Sequence, residues 1–280
     1  MDVCLLPNSR RPGVGLKPKR EGTRPLLPQH ARHCPVLEAG SAMGFMVYAP
    51  LEPKESLYLE YEGDGRYKFV YYLQTQDGHR APIFQVTMSL PVGGVGMVKE
   101  DVTFVGAPML SREAALAVSR VFLVPEDMGT PPGAIALRGA TNFKTPQGWD
   151  TVYTPIFNMI ERPIAPMLVV RVETDWYAHE TEFRYVLQSG EGMSVDHSIP
   201  IGQVMFVPRE EIEFRSGTDE ELKAFEESKQ EFGRHKAAAT QTTSYGLAYS
   251  PHYLRRAREE AERETENGKR KTENEKQRDA

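Results

Sequence analysis

The stretch "RVETDWYAHETEF", from Arg171 to Phe183, gathers reactive side chains more densely than any other in the chain. Glu173 and Asp175 lie two residues apart, so an extended strand puts both carboxylates on one side, together with Arg171. Two carboxylates that close repel, and the pKa of one rises toward that of a general base. Glu173 and Asp175 are therefore the catalytic candidates. Arg171 and Trp176 are ligand-binding candidates, one for an anion and one for a flat ring. Trp149 and Asn158, in the upstream "KTPQGWDTVYTPIFN", join them, and the Pro-x-Gly order there fits a type II turn. His179 and Glu182, with Asp175 and the distant His197, are candidate ligands of a facial-triad metal site. No HxD or HxH places two such ligands on one strand face. The alternative for the whole stretch is an exposed sheet face, with Glu180, Glu182 and Arg184 paired across two strands and His179 solvated.

The elements that would position these residues are mostly strands. Short apolar segments rich in β-branched and aromatic residues recur between Gly and Pro: "GFMVYAP", "PIFQVTMSL", "VGMVKEDVTFVG", "AIALRGATNF", "MLVVRVET", "TEFRYVLQ" and "IGQVMFVPREEIEF". "ESLYLEYEGDGRYKFVYYLQ" predicts a hairpin turning at Gly63-Asp64-Gly65. Two helices interrupt the pattern. Ser111 caps "SREAALAVSRVF", and Thr218 with Glu221 forms a capping box for "TDEELKAFEESKQEFGRH", which is expected to lie across the β domain. The fold class is mainly β, a β-clip or sandwich-like single domain with a few peripheral helices and disordered charged tails.

Residues 1–33 carry seven Lys/Arg and two Asp/Glu with prolines at 7, 12, 18, 25 and 28, and read as a basic disordered tail. Residues 34–254 form the β-rich domain, with its peripheral helix near 218–236. Residues 255–280, nine basic and eight acidic, have no apolar face and read as a disordered or helical tail.

The chain has 280 residues, 40% apolar and 26% charged, enough for a sizeable core. A net charge of −5 speaks against general nucleic-acid binding, leaving only the basic N-terminal tail for it. No apolar run is long enough to span a bilayer, and Cys4 and Cys34 form no metal or redox spacing, so a cytoplasmic protein is expected. There is no P-loop, GxGxxG or GxSxG, and Gly93-Gly94-Val95-Gly96 reads as a strand turn.

The ordered motifs "CPVLEAGSAMGFMVYAP", "NFKTPQGWDTVYTPIFN", "VETDW", "IPIGQVMFVPRE" and "YSPHYLRRA" resemble an uncharacterised family of bacterial and phage genomes. More distantly, the chain resembles the dUTP pyrophosphatase and dCTP deaminase superfamily. That resemblance implies a β-clip fold and a homo-oligomer, a trimer with sites between subunits. It puts Glu173, Asp175 and Trp176 in the places of the water-positioning and sugar-stacking residues, with Arg171 where the family has glycine and Glu173 where it has Asp. It aligns Gln203 with a ligand-binding turn. It also implies Mg²⁺ bridging phosphates held by Lys144, Arg162 or Arg171. Three functions follow as expectations. The first is a binding or interaction module for a protein partner or small ligand. The second is a nucleotide-processing enzyme. The third is an oxygenase holding Fe²⁺ at His179.

Overall fold

The Gly63-Asp64-Gly65 turn has positive φ at all three positions, 97°, 49° and 72°. It joins β3 (Glu55–Gly63) to β4 (Arg66–Gln74) as the hairpin expected from its glycines. The structure, a computed structural model, describes residues 2–22, 34–90, 98–105, 110–124, 128–159, 167–242, 246 and 248–278. The chain divides into two compact units, Met1–Glu210 and Glu211–Ala280.

The first unit is mainly β. Its largest sheet runs β12 (Glu191–Asp196), β3, β4, β5 (Arg80–Ser89) and β6 (Lys99–Phe104), all neighbours antiparallel. Period-two alternation aims one face inward. Leu57, Leu59 and Tyr61 of β3 sit opposite Tyr71, Phe69 and Tyr67 of β4, and these oppose Phe84, Val86 and Met88 of β5. All nine are buried, so each rung is an apolar cross-strand pair contributing ~0.2–1 kcal/mol beyond Ala–Ala. Helix α1 (Pro35–Ser41) and helix α2 (Arg112–Phe122) belong to the same unit. The α2 N-cap is Ser111, whose hydroxyl accepts from the Ala114 N–H at 3.1 Å. Ala115, Ser119 and Phe122 form its buried face, and the Phe122 ring stacks on Phe69 and Tyr71 at 6.3 and 6.2 Å.

A second sheet has the order β10 (Val170–Val172), β9 (Trp149–Thr154), β13 (Pro200–Pro208) and β2 (Phe45–Tyr48). A separate two-stranded sheet pairs β7 (Ala134–Arg138), with every residue buried, with β11 (Glu182–Val186). One apolar cluster runs through both sheets, the β7–β11 pair and α2.

One expectation requires correction. Residues 2–22 are not a disordered tail. Cys4–Pro7 is strand β1, paired with β8 (Thr141–Lys144). Asn8 is buried and donates to the Gly139 carbonyl at 2.8 Å, while its own oxygen accepts from the N–H groups of Arg10 and Arg11. The segment is held by backbone pairing and polar anchors, which leave no hydrophobic period in the sequence. Residues 23–33, the rest of that expected tail, lie outside the described residues, as do Gly93 to Gly96 and Arg162.

The peripheral helix expected near 218–236 is present. Helix α3 (Asp219–Ala238), with the expected Thr218–Glu221 capping box, belongs to the second unit and buries no residue. It is joined there by β14 (Gln241–Thr242), β15 (Ala248–Tyr249) and helix α4 (His252–Arg278), the helical form of the charged C-terminal segment. The Phe232 ring meets His252 at 4.7 Å, tying α3 to α4.

Candidate functional site

The site forms where β9, β10 and β13 end together. Pro146-Gln147-Gly148 makes the expected turn, with the Trp149 N–H donating to the Pro146 carbonyl at 3.1 Å and Gly148 at φ 79°. That turn releases the Gly148 N–H, which donates to Asp175 Oδ2 at 2.9 Å. Across the gap, the hydroxyl of Thr174 lies 2.9 Å from that of Thr145 and 2.7 Å from that of Thr151. These buried hydroxyls pin the turn after β10 to β9. The N–H groups of Trp176 and Tyr177 both donate to the Glu173 carbonyl, at 3.3 and 2.9 Å. The turn therefore lifts both aromatic rings into solvent, Trp176 at 68% exposure and Tyr177 at 51%.

Asp150 of β9 is the anchor beneath. Its carboxylate is buried and accepts from Arg171 Nε on Oδ2 and from Arg209 Nε on Oδ1, both at 2.6 Å. The register delivers both arginines. Arg171 faces Val152 across the β10–β9 ladder, and Arg209 follows Pro208, which pairs with Trp149. Arg209 also donates to Asp175 through Nη2. Its guanidinium pKa is raised, by the hydrogen bond to Asp150 first and by that to Asp175 next.

Asp150, Arg171, Val172, Glu173, Tyr177 and Arg209 line an open cleft of about 330 Å³. Each arginine spends its Nε on Asp150. Both terminal nitrogens of Arg171 and the Nη1 of Arg209 have no protein partner among the described residues. Glu173 contributes a carboxylate to the same cleft with no hydrogen-bond or ion-pair partner among the described residues. The cleft therefore offers fixed guanidinium donors, one carboxylate and an aromatic rim. A carboxylate or phosphate matches guanidinium geometry, and a flat ring matches the rim.

Of the sequence candidates, Glu173 and Arg171 come together in this cleft, with Trp176 beside Tyr177 at a ring separation of 5.8 Å. Asp175 is not among the residues that line the cleft. Burial raises its pKa, but the Gly148 N–H and the Arg209 guanidinium outweigh that and hold its carboxyl below the usual range. It is a strut for Arg209, and its pKa moves in the opposite direction to that of a general base.

Trp149 is half-buried at the head of β9 and is not a wall of the cleft. Asn158 and Gln203 are not among the residues that line the cleft. Asn158 Nδ2 donates to the Leu37 carbonyl and Ser41 Oγ, closing the end of α1. Gln203 is fully buried, accepting from the Phe157 N–H and donating to the Met43 carbonyl, both at 3.0 Å.

The expected metal ligands do not converge. The His179 ring stacks on Tyr177 at 5.6 Å and meets Tyr153 edge-on at 6.2 Å, extending the aromatic rim. Glu182 pairs with Arg138 of β7 at 3.1 Å. Among the described residues, no three His, Cys, Asp or Glu side chains are grouped to hold an ion. The cross-strand pairing expected between the two halves of "RVETDWYAHETEF" is also redirected, because β10 pairs with β9 and β11 with β7.

Asp150 and Arg209 were missed by sequence reasoning. The signal in the sequence was a single Asp inside an otherwise uncharged strand, "WDTVYT", which needs a charged partner from elsewhere if buried. Among the described residues, no helix is long and apolar enough to cross a membrane. Compared with known proteins, the chain matches no family model, no curated protein and no solved structure.

Proposed function

We propose that the protein is a β-rich binding module whose cleft at Asp150, Arg171, Glu173, Tyr177 and Arg209 takes a small ligand with an anionic group and a flat ring, of which a nucleotide is the representative chemistry. The observation that carries the proposal is the pair of guanidinium groups locked by one buried carboxylate, with terminal nitrogens left over at an open cleft. Locking through Nε lowers the conformational entropy that anion binding would otherwise cost. The exposed Trp176 and Tyr177 supply the stacking surface. Motif order alone supports a β-clip topology, a phage-related family and a homo-oligomer. Cys4 and Cys34, both free thiols, support a cytoplasmic setting.

A second reading, hydrolysis of a nucleotide with Mg²⁺, rests on Glu173, the cleft carboxylate without a protein partner. Here Glu173 would orient water while the arginines hold phosphate.

The test is thermal stabilisation by deoxynucleoside mono-, di- and triphosphates, with and without Mg²⁺. A ligand at 100 times its Kd adds about 2.7 kcal/mol, a shift of several degrees. Arg171→Ala is expected to abolish the shift, read against the variant's own unliganded midpoint, which falls because Asp150 loses one of its two donors. No shift with any member, or an equal shift in the variant, sinks the binding reading. Turnover that disappears in Glu173→Gln while binding persists promotes the hydrolase reading, and turnover that survives the substitution removes it.

A further inference from the structure

A second cavity, of about 360 Å³, lies between helix α2 and the five-stranded sheet, and none of its walls is shared with the cleft. Its volume falls in the ~300–1,000 Å³ range of small-molecule sites. Val118 and Val121 line it from α2, and Leu73 and Ile83 from the sheet. These aliphatic side chains pack against the core yet remain partly exposed at the cavity. A sheet and helix that otherwise interlock thus leave an apolar space open here.

One end of the cavity is polar and fully organised. Glu55 Oε1 accepts from Arg11 Nη2 at 2.8 Å and from the Tyr71 hydroxyl. Its Oε2 accepts from Arg11 Nη1 at 2.5 Å and from the Glu52 N–H at 2.7 Å. Arg11 Nη1 also donates to the Pro50 carbonyl at 3.1 Å. The acceptors of Glu55 are therefore filled. The donors of Arg11 are not, because its Nε and the second proton of Nη2 have no partner among the described residues. A ligand reaching this end meets the unpartnered donors of a guanidinium, and the group that best answers them is an anionic hydrogen-bond acceptor.

We infer that this cavity is a binding site for a medium-chain monocarboxylate, with its alkyl chain between α2 and the sheet and its carboxylate at Arg11. An ammonium head sets a second cation beside Arg11 and leaves its donors unanswered, as does a bare alkane.

The experiment titrates the full chain with decanoate, decanol and decylamine below their aggregation limits, following calorimetry and displacement of anilinonaphthalene sulfonate. One decanoate per chain is expected, with decanol weaker and decylamine not binding. Val118→Trp fills the space and is expected to weaken decanoate at least about tenfold, as when several methylenes lose their place in an apolar pocket. A thermal midpoint near the wild-type value certifies that this variant folds. Should it not fold, Ile83→Phe serves from the opposite wall. Arg171→Ala, in the other cleft, is expected to leave decanoate binding unchanged. Absence of decanoate binding, equal binding by the filled variants, or equal binding of decylamine would overturn the assignment.

Discussion

Glu55 shows at the scale of one residue how a charge is kept inside this protein. Its carboxylate has a side-chain exposure of only 9% and is met by the bidentate Arg11 fork, the Glu52 N–H and the Tyr71 hydroxyl. Burial pushes its pKa up, but those donors together outweigh burial and leave it below the usual carboxylate value. A folded pKa below the unfolded one means stability that is present above the unfolded value and lost as pH falls through the folded value. Glu55→Gln is expected to cost about 1–3 kcal/mol near neutral pH, because the amide cannot accept all four hydrogen bonds. Arg11 is about one-quarter exposed, which places the cost toward the lower end. Urea denaturation from about pH 7 to about pH 3 checks both parts, since the gap between variant and wild type must close in acid. A gap independent of pH would show that packing, and not charge, sets the cost. Single residues were only partly legible beforehand. Glu173 and Arg171 stood out because charged residues alternate with valines along one strand. Gln203 entered only through the family resemblance, and its amide is spent on two backbone groups that sequence could not place beside it.

Among elements, legibility followed the kind of force that holds each one. The β3–β4 hairpin could be read in advance because its Gly-Asp-Gly turn and alternating apolar residues both survive in the sequence. The capping residues of α2 and α3 were equally local. Strand β1 could not be read, since all four of its residues are exposed and it is held by backbone pairing and by the Asn142 amide, which donates to the Pro7 carbonyl at 3.2 Å. The crossing of β13 over β11 was also hidden. A Cβ at Gly202 would lie 2.2 Å from the Phe183 ring, so glycine is required there by close approach between strands of different sheets. Phe183 is fully buried and meets the Tyr153 ring edge-on at 5.7 Å, so it has little room to retreat. Gly202→Ala is therefore expected to destabilise by ~1–3 kcal/mol, the usual cost of forcing extra volume into a packed core. Adding Phe183→Leu should return part of that loss, measured by the urea midpoints of the single and double variants. Strict additivity of the two substitutions would count against direct contact as the cause.

For the whole molecule, the division at Glu210 sorts the forces. The first unit holds the continuous apolar cluster, both strands that anchor the cleft arginines, and the Arg11–Glu55 pair. In the second unit α3 buries no residue, with Leu222 59% and Phe225 66% exposed, and local terms support the helix. Those terms are the Thr218–Glu221 capping box, the Arg215–Glu221 ion pair and spaced pairs such as Lys223–Glu227. Such local support is worth tenths of a kcal/mol per pair, far below what a packed core supplies. The two units should therefore unfold separately, and residues 1–210 should fold alone. The chain reports this itself, because its two tryptophans, Trp149 and Trp176, both lie in the first unit. Tryptophan fluorescence thus follows that unit, while helical circular dichroism also follows α3 and α4. In urea, the full chain is expected to lose helical signal before the fluorescence transition, and 1–210 is expected to keep the fluorescence midpoint of the full chain. Coincident transitions in the full chain, together with a lower midpoint for 1–210, would mean that the helical unit stabilises the β unit.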